Sequence, residues 1–225
     1  MDLRAVVFDL DGTLLDTMAI SPRVYVDTVS ALGGPRFTPD DVVAMWHIGP
    51  SPVVLARLLG RTLREGDMEC YYAHVERAVR QARAFPGVPE AVAGLAARGV
   101  RTAVYTAATR RAAELKLAAA GMGGAFDVIV CGDEVAAPKP APDGLWRALE
   151  LLGVEPARAA YVGDGAVDLG CARGAGAHGV HACWGTAQQG ECGLPEPGAH
   201  AGSPAALADH LADHLGGPHK QDTAG

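Results

Sequence analysis

Asp9 and Asp11 stand two residues apart in Phe8-Asp9-Leu10-Asp11-Gly12-Thr13, where a short apolar run stops. Carboxylates at the end of a buried strand are costly to place unless a cation or a reaction uses them. Taken alone, the fragment reads equally well as two solvated aspartates in an Asx-type turn through Gly12. Three more polar clusters change that balance. Thr106 closes a second apolar run, Lys139 lies in Pro138-Lys139-Pro140-Ala141-Pro142 after a third, and Gly163-Asp164-Gly165-Ala166-Val167-Asp168 follows a fourth. Together they supply two acidic pairs, one hydroxyl and one ammonium. Carboxylates hold a hard cation such as Mg²⁺ through oxygen, and hydroxyl and ammonium groups hold phosphate oxygens. The chain has only Lys116, Lys139 and Lys220, against 16 arginines. This arginine and alanine richness reads as the codon bias of a GC-rich genome. It makes the proline-flanked Lys139 informative, although an exposed lysine is the usual case.

These clusters need a frame that brings them to one edge. Short runs rich in β-branched and aromatic residues occur at 4–9, 101–106, 127–131, 159–163 and 179–183 and read as buried strands. Helical patterns separate the later four: Val88, Val92 and Leu95 before Gly99; a segment capped by Thr109 and ending at Gly121; and Leu145, Leu149 and Leu152 before Gly153. The alternation predicts an α/β fold, a parallel sheet with helices on both faces. Ligands in such folds bind at the carboxyl ends of the strands, where each polar cluster falls. Residues 16–85 interrupt the pattern. Ser21-Pro22, Thr38-Pro39 and Ser51-Pro52 each pair an N-cap with Pro at the first helical position. With a fourth helix over about 66–84, they predict a four-helix insert hinged near Asp16 and Phe85-Pro86. Residues 184–203 read as a Gly/Pro-rich loop, and Ser203-Pro204 starts a last helix to about Leu215.

In order, Asp9-Leu10-Asp11-Gly12-Thr13, Thr106, Lys139 and Gly163-Asp164 with Asp168 resemble the four motifs of the haloacid dehalogenase (HAD) superfamily. The resemblance spans nearly the whole chain, and the helical insert is similar to that of the phosphoglycolate phosphatase-like and β-phosphoglucomutase-like subgroup. It implies a Rossmann-like core domain over 1–15 and 86–216, a helical cap domain over 16–85 and a flexible tail over 217–225. The implied activity is phosphoester hydrolysis in two steps. Asp9 attacks phosphorus to give an aspartyl-phosphate. Asp11 protonates the leaving alcohol and then activates water. Mg²⁺ sits among Asp9, Asp164 and the Asp11 carbonyl, with Asp168 either a ligand through water or an orienter of Lys139. Thr106 and Lys139 neutralise the transferring group, and the main-chain N–H groups of Leu10, Asp11 and Ala107 bind phosphate. Asp11 disfavours dehalogenation, because dehalogenases of the superfamily usually lack that acid. Gly165 and Ala107 depart from the Ser/Thr and Asn frequent in relatives. The implied substrate is a small phosphorylated metabolite: phosphoglycolate, a sugar phosphate or a biosynthetic intermediate, including one of a natural product. A phosphomutase sharing the same site, and a catalytically silent phosphate-binding module, are the alternatives.

Other signals bound the reading. The 225 residues carry 26 acidic and 19 basic side chains, a net charge of −7, which argues against nucleic acid as partner. No window is apolar enough for a membrane span and no signal peptide precedes the first strand, so a cytoplasmic monomer or homodimer is expected. Five scattered cysteines (Cys70, Cys131, Cys171, Cys183 and Cys192) contain no Cys-x-x-Cys pair and argue against a disulfide framework or zinc site. In the insert, Trp46-His47-Ile48-Gly49-Pro50-Ser51 offers His47, Gly49 and Ser51 as substrate contacts, or packing by Trp46 and a plain cap at Ser51. Arg57 reads as solvated. His210 and His214, spaced i, i+4, read as a solvated helix face. His178 and His181 read as opposite-facing strand residues, and Asp133 and Glu134 as loop residues near the site.

Overall fold

The fold follows from which residues each strand can hide on both sides. The computed structural model describes residues 2–185 and 199–212. Strand β1 (Ala5–Phe8) is buried throughout, and β2 (Arg101–Thr106), β3 (Val128–Cys131), β4 (Ala159–Gly163) and β5 (His178–Ala182) line up with it. A sixth strand, β6 (Ala199–Ala201), completes an all-parallel sheet in the order β3-β2-β1-β4-β5-β6. Alternate residues of β1 serve opposite cores, as the two-residue strand repeat requires. Val6 and Phe8 pack towards helices α5 (Val88–Ala97), α6 (Arg110–Ala119) and α9 (Pro204–Ala212), whereas Ala5 and Val7 pack towards α7 (Asp143–Leu152) and α8 (Ala166–Ala175). Helices therefore cover both faces, as the sequence predicts.

Between β1 and α5 lie α1 (Ser21–Ala31), α2 (Pro39–Val43), α3 (Ser51–Leu59) and α4 (Asp67–Ala78). The two crossings between insert and core run side by side: Asp16 N–H donates to the Arg83 carbonyl (2.9 Å) and Phe85 N–H to the Leu14 carbonyl (3.1 Å). Register explains how the chain gathers its polar residues. Phe8 pairs with Val104 on one side and Val162 on the other, so Asp9, Thr106 and Asp164 leave the sheet at the same edge.

β6 lies inside the stretch 184–203 read as a loop; its three residues are too few for a strand pattern. The strand read as 179–183 runs over His178–Ala182, and the helix read as about 66–84 ends at Ala78, followed by a 3₁₀ turn over Val79–Gln81. Thr38 caps α2 through a reciprocal pair with Asp41, but Ser21 and Ser51 are not caps. Ile20 and Pro50 hold those positions, and both serine hydroxyls turn inward to other partners. Thr109 precedes α6 without a side-chain cap bond; its hydroxyl accepts from Tyr72 (3.3 Å). The end of the last helix, the tail 217–225, Cys192, His214 and Lys220 lie outside the described residues. No helix among the described residues is long and apolar enough to cross a membrane.

Candidate active site

At the carboxyl edge of the sheet, beneath the insert, lies a cavity of about 410 Å³. Asp9, Thr106, Lys139 and Asp164 line it from the core, and Trp46, Gly49 and Ser51 from the insert. Lys139 Nζ donates to Asp9 Oδ1 and to Asp168 Oδ1, both at 2.6 Å, and to the Tyr161 hydroxyl at 3.2 Å. Asp168 Oδ2 accepts from the Gly165 amide (3.0 Å), so both of its oxygens are held by protein donors. The Thr13 hydroxyl donates to Asp164 Oδ1 (3.3 Å), and the Ala108 amide donates to the Thr106 hydroxyl (3.1 Å). Gly12, at φ 83°, lets the turn after β1 reach this cluster; a Cβ there would meet Asp164 Oδ2 at 2.3 Å.

Charge is unbalanced around Lys139. Asp9, Asp164 and Asp168 present carboxylate oxygens within 4.8 Å of one another, all three residues buried, and one ammonium serves them. Burial pushes the Asp9 carboxyl up to about 7, with Lys139 opposing and Asp168 reinforcing the rise. Burial, then Asp9 and Asp168, raise Asp164 well above the usual carboxylate range. Lys139 moves the other way from what burial demands, because Asp168 and Asp9 together hold its proton. The two partners agree once the charges are counted: two carboxylates secure one ammonium, but one ammonium does not satisfy three carboxylates. With all three ionised the shortfall is two negative charges, which a divalent cation bound through oxygen would offset.

Asp11 sits in a different environment. Lys116 Nζ donates to both of its oxygens at 2.7 Å, and the hydroxyls of Ser21 (3.2 Å) and Thr17 donate to Oδ1. Burial favours the neutral acid here too, but Lys116 and these hydroxyls outweigh it and hold the carboxyl below its usual range. Lys116, buried on α6, keeps its proton against burial because of Asp11.

Of the residues singled out from sequence, Asp9, Asp11, Thr106, Ala107, Lys139, Asp164, Asp168, Gly49 and Ser51 border the cavity. Leu10, singled out for its main-chain N–H, packs its side chain into the core. Ser51 Oγ is 3.0 Å from the Tyr71 hydroxyl, and the side chain of His47 lies outside the described residues. Asp133 and Glu134 do not line the cavity; they anchor Arg110 at the start of α6. His210 is half-buried with its Nε2 3.3 Å from that of His178, not on a solvated face. Sequence reasoning missed Lys116, Thr17, Ser21 and Tyr161. For Lys116 a signal existed: it interrupts the stripe Ala112, Ala113, Leu117 that buries α6.

Residues 6–182 match the model of the haloacid dehalogenase-like hydrolase family. The chain belongs to this family. It is 31% identical over 185 residues to the phosphoglycolate phosphatase of Aquifex aeolicus, covering 81% of this chain and 86% of that one. It is 33% identical over 218 residues to a plasmid-encoded phosphoglycolate phosphatase of Cupriavidus necator, covering 94% and 89%. The crystal structure of CbbY from Rhodobacter sphaeroides in complex with phosphate superposes with a TM-score of 0.79 at 27% identity, covering 91% and 96%. With such relatives, the chain is a phosphoric monoester hydrolase of the HAD family, and the expectation of a silent binding module is set aside.

Proposed function

We propose that this HAD phosphatase is Mg²⁺-dependent and hydrolyses a small phosphomonoester through a phosphoryl group carried on Asp9. The observation that supports it most is the convergence of the Asp9, Asp164 and Asp168 carboxylates, two of them on the Lys139 ammonium, at a cavity of about 410 Å³. Asp9 and Asp164, with the Asp11 carbonyl, are the groups that would hold the cation. The cation, when bound, supplies the charge that lets an anionic nucleophile meet an anionic phosphate. We assign Asp168 to positioning Lys139, because its oxygens are already committed to Lys139 and the Gly165 amide.

Lys139 holds Asp9 Oδ1, leaving Oδ2 to attack phosphorus as the bond to the leaving alcohol oxygen breaks. Asp11 gives that oxygen its proton. A bound phosphate raises the Asp11 carboxyl by like-charge repulsion and favours the acid form this step needs. Once the alcohol has left, Asp11 is ionised beside Lys116 and takes a proton from the water that cleaves the aspartyl-phosphate. Thr106, and the amides of Leu10, Asp11 and Ala107, are assigned to the phosphate oxygens. The insert, residues 16–85, acts as a cap that excludes water and contacts the leaving group through Trp46, Gly49 and the Ser51–Tyr71 pair.

The phosphoglycolate phosphatase relatives make phosphoglycolate the first substrate to try. The test is phosphate release from a panel of phosphomonoesters (2-phosphoglycolate, hexose and pentose phosphates, N-acetylated sugar phosphates) with Mg²⁺ and with excess chelator. Turnover of at least one member with Mg²⁺ and none with chelator is expected. Turnover unaffected by chelator contradicts the reading.

A further inference from the structure

The edge of the sheet carries a second convergence of ligating atoms, separate from the carboxylates. β5 and β6 pair with His181 opposite His200. The ladder continues one step, because Cys183 N–H donates to the Ala201 carbonyl (2.9 Å). Cross-strand partners project from one face, as do residues i and i+2 of an extended chain, so His181, Cys183 and His200 point together. The two Nδ1 atoms are 3.3 Å apart, and Cys183 Sγ lies 3.5 Å from His181 Nδ1 and 3.8 Å from His200 Nδ1.

Those edges are the ones a metal ion sets. Tetrahedral Zn²⁺, with Zn–N of about 2.05 Å and Zn–S of about 2.3 Å, spaces its ligands about 3.3 Å (N···N) and about 3.6 Å (N···S) apart. Cys183 Sγ also lies 3.6 Å from the His181 carbonyl, and one ion would join the sulfur and both ring nitrogens. His181 is buried, Cys183 half-buried and His200 exposed, so the triangle opens at the surface, where a fourth ligand can enter. His181 Nε2, on the other side of the ring, has no hydrogen-bond partner among the described residues.

We infer that His181, Cys183 and His200 form a binding site for a borderline-soft divalent transition ion, Zn²⁺ foremost, distinct from the phosphatase centre. On binding, the Cys183 thiol releases its proton to solvent and both imidazoles coordinate as neutral rings through Nδ1. The donor set rejects Mg²⁺, which requires oxygen. The ion ties the end of β5 to β6. Next to it, Trp184 Nε1 donates to the Thr13 carbonyl (2.8 Å), so the tie reaches the turn that follows Asp9. Scattered cysteines concealed the site, because His200 joins the others only through a strand in the stretch that reads as a loop.

The experiment is a Co²⁺ titration of chelator-stripped, reduced protein under anaerobic conditions. One equivalent is expected to give a sulfur-to-cobalt charge-transfer band with the strong visible bands of a four-coordinate ion, displaced by Zn²⁺ and insensitive to excess Mg²⁺. Cys183→Ser abolishes the charge-transfer band. His200→Ala keeps it but weakens Co²⁺ binding at least about tenfold, taking the loss for a supporting residue as the minimum. Asp9→Asn retains it in full, because the carboxylate centre offers no sulfur, which separates this result from the fate of the phosphatase reading. Absence of the band in the parent protein, its survival in Cys183→Ser, or unchanged affinity in His200→Ala overturns the inference.

Discussion

Asp9 and Asp11 are separated by one residue, yet burial acts on both and only Asp11 escapes it, because Lys116 gives it both hydrogen bonds of a paired carboxylate. Replacing Lys116 by Met removes that pairing and raises the Asp11 carboxyl. The limb of the kcat/KM–pH profile governed by Asp11 is then expected to move to higher pH; superimposable profiles for the two proteins contradict this role for Lys116. Asp9 carries the opposite consequence. In chelator-treated protein its carboxyl is raised from 3.8 to about 7, so it binds its proton more tightly folded than unfolded. That contribution to stability is complete below the unfolded value and is lost as pH rises through about 7. Asp9→Asn, which carries no charge to bury, should therefore gain in Tm relative to the parent as pH rises from 4 to 8. A difference that stays constant or reverses contradicts it. Asp9, Thr106 and Asp164 were legible because each stands where an apolar run stops, and Lys139 because prolines flank it. Lys116 was less so, since a lysine inside a helix ordinarily reads as solvated.

At the scale of elements, the turn after β1 does most to shape the site. Gly12 occupies positive φ, and a methyl group there would overlap Asp164. Gly12→Ala is expected to lower kcat/KM about 10²-fold or more, the scale set by an ångström of misplacement, with the far-ultraviolet circular dichroism unchanged. Activity within twofold of the parent would show that the turn tolerates a side chain. The central strands could be read from sequence because burial on both faces makes them continuous apolar runs. β6 could not, since Ala199-His200-Ala201 has neither the length nor the pattern and is fixed only by pairing with β5. Ser21 and Ser51 misled for a related reason. Ser-Pro ordinarily marks a helix cap, but here Asp11 and Tyr71 draw the hydroxyls inward.

For the whole molecule, the question is what holds the helical insert over the sheet. Arg111 of α6 reaches across to α4, 2.9 Å from both Glu69 oxygens and 3.2 Å from Glu76, with its guanidinium 4.3 Å above the Tyr72 ring. All three charged partners are exposed, so Arg111→Ala should leave stability almost unchanged. Its expected effect is a rise in KM for the small substrate, matched in the parent protein by added salt. Unchanged KM at low salt contradicts a role for this contact in keeping the insert closed. The insert itself was visible in the sequence as a break in the strand–helix alternation. Its closeness to the core was not, since ion pairs between distant exposed residues leave no local pattern. The proposed hydrolysis depends on Asp9 receiving the phosphoryl group. Phosphate release from a chromogenic phosphomonoester, measured with Mg²⁺ for the parent and for Asp9→Asn, tests this most directly. Mg²⁺-dependent turnover in the parent and none above background in Asp9→Asn is the predicted result; equal rates in the two proteins would contradict it.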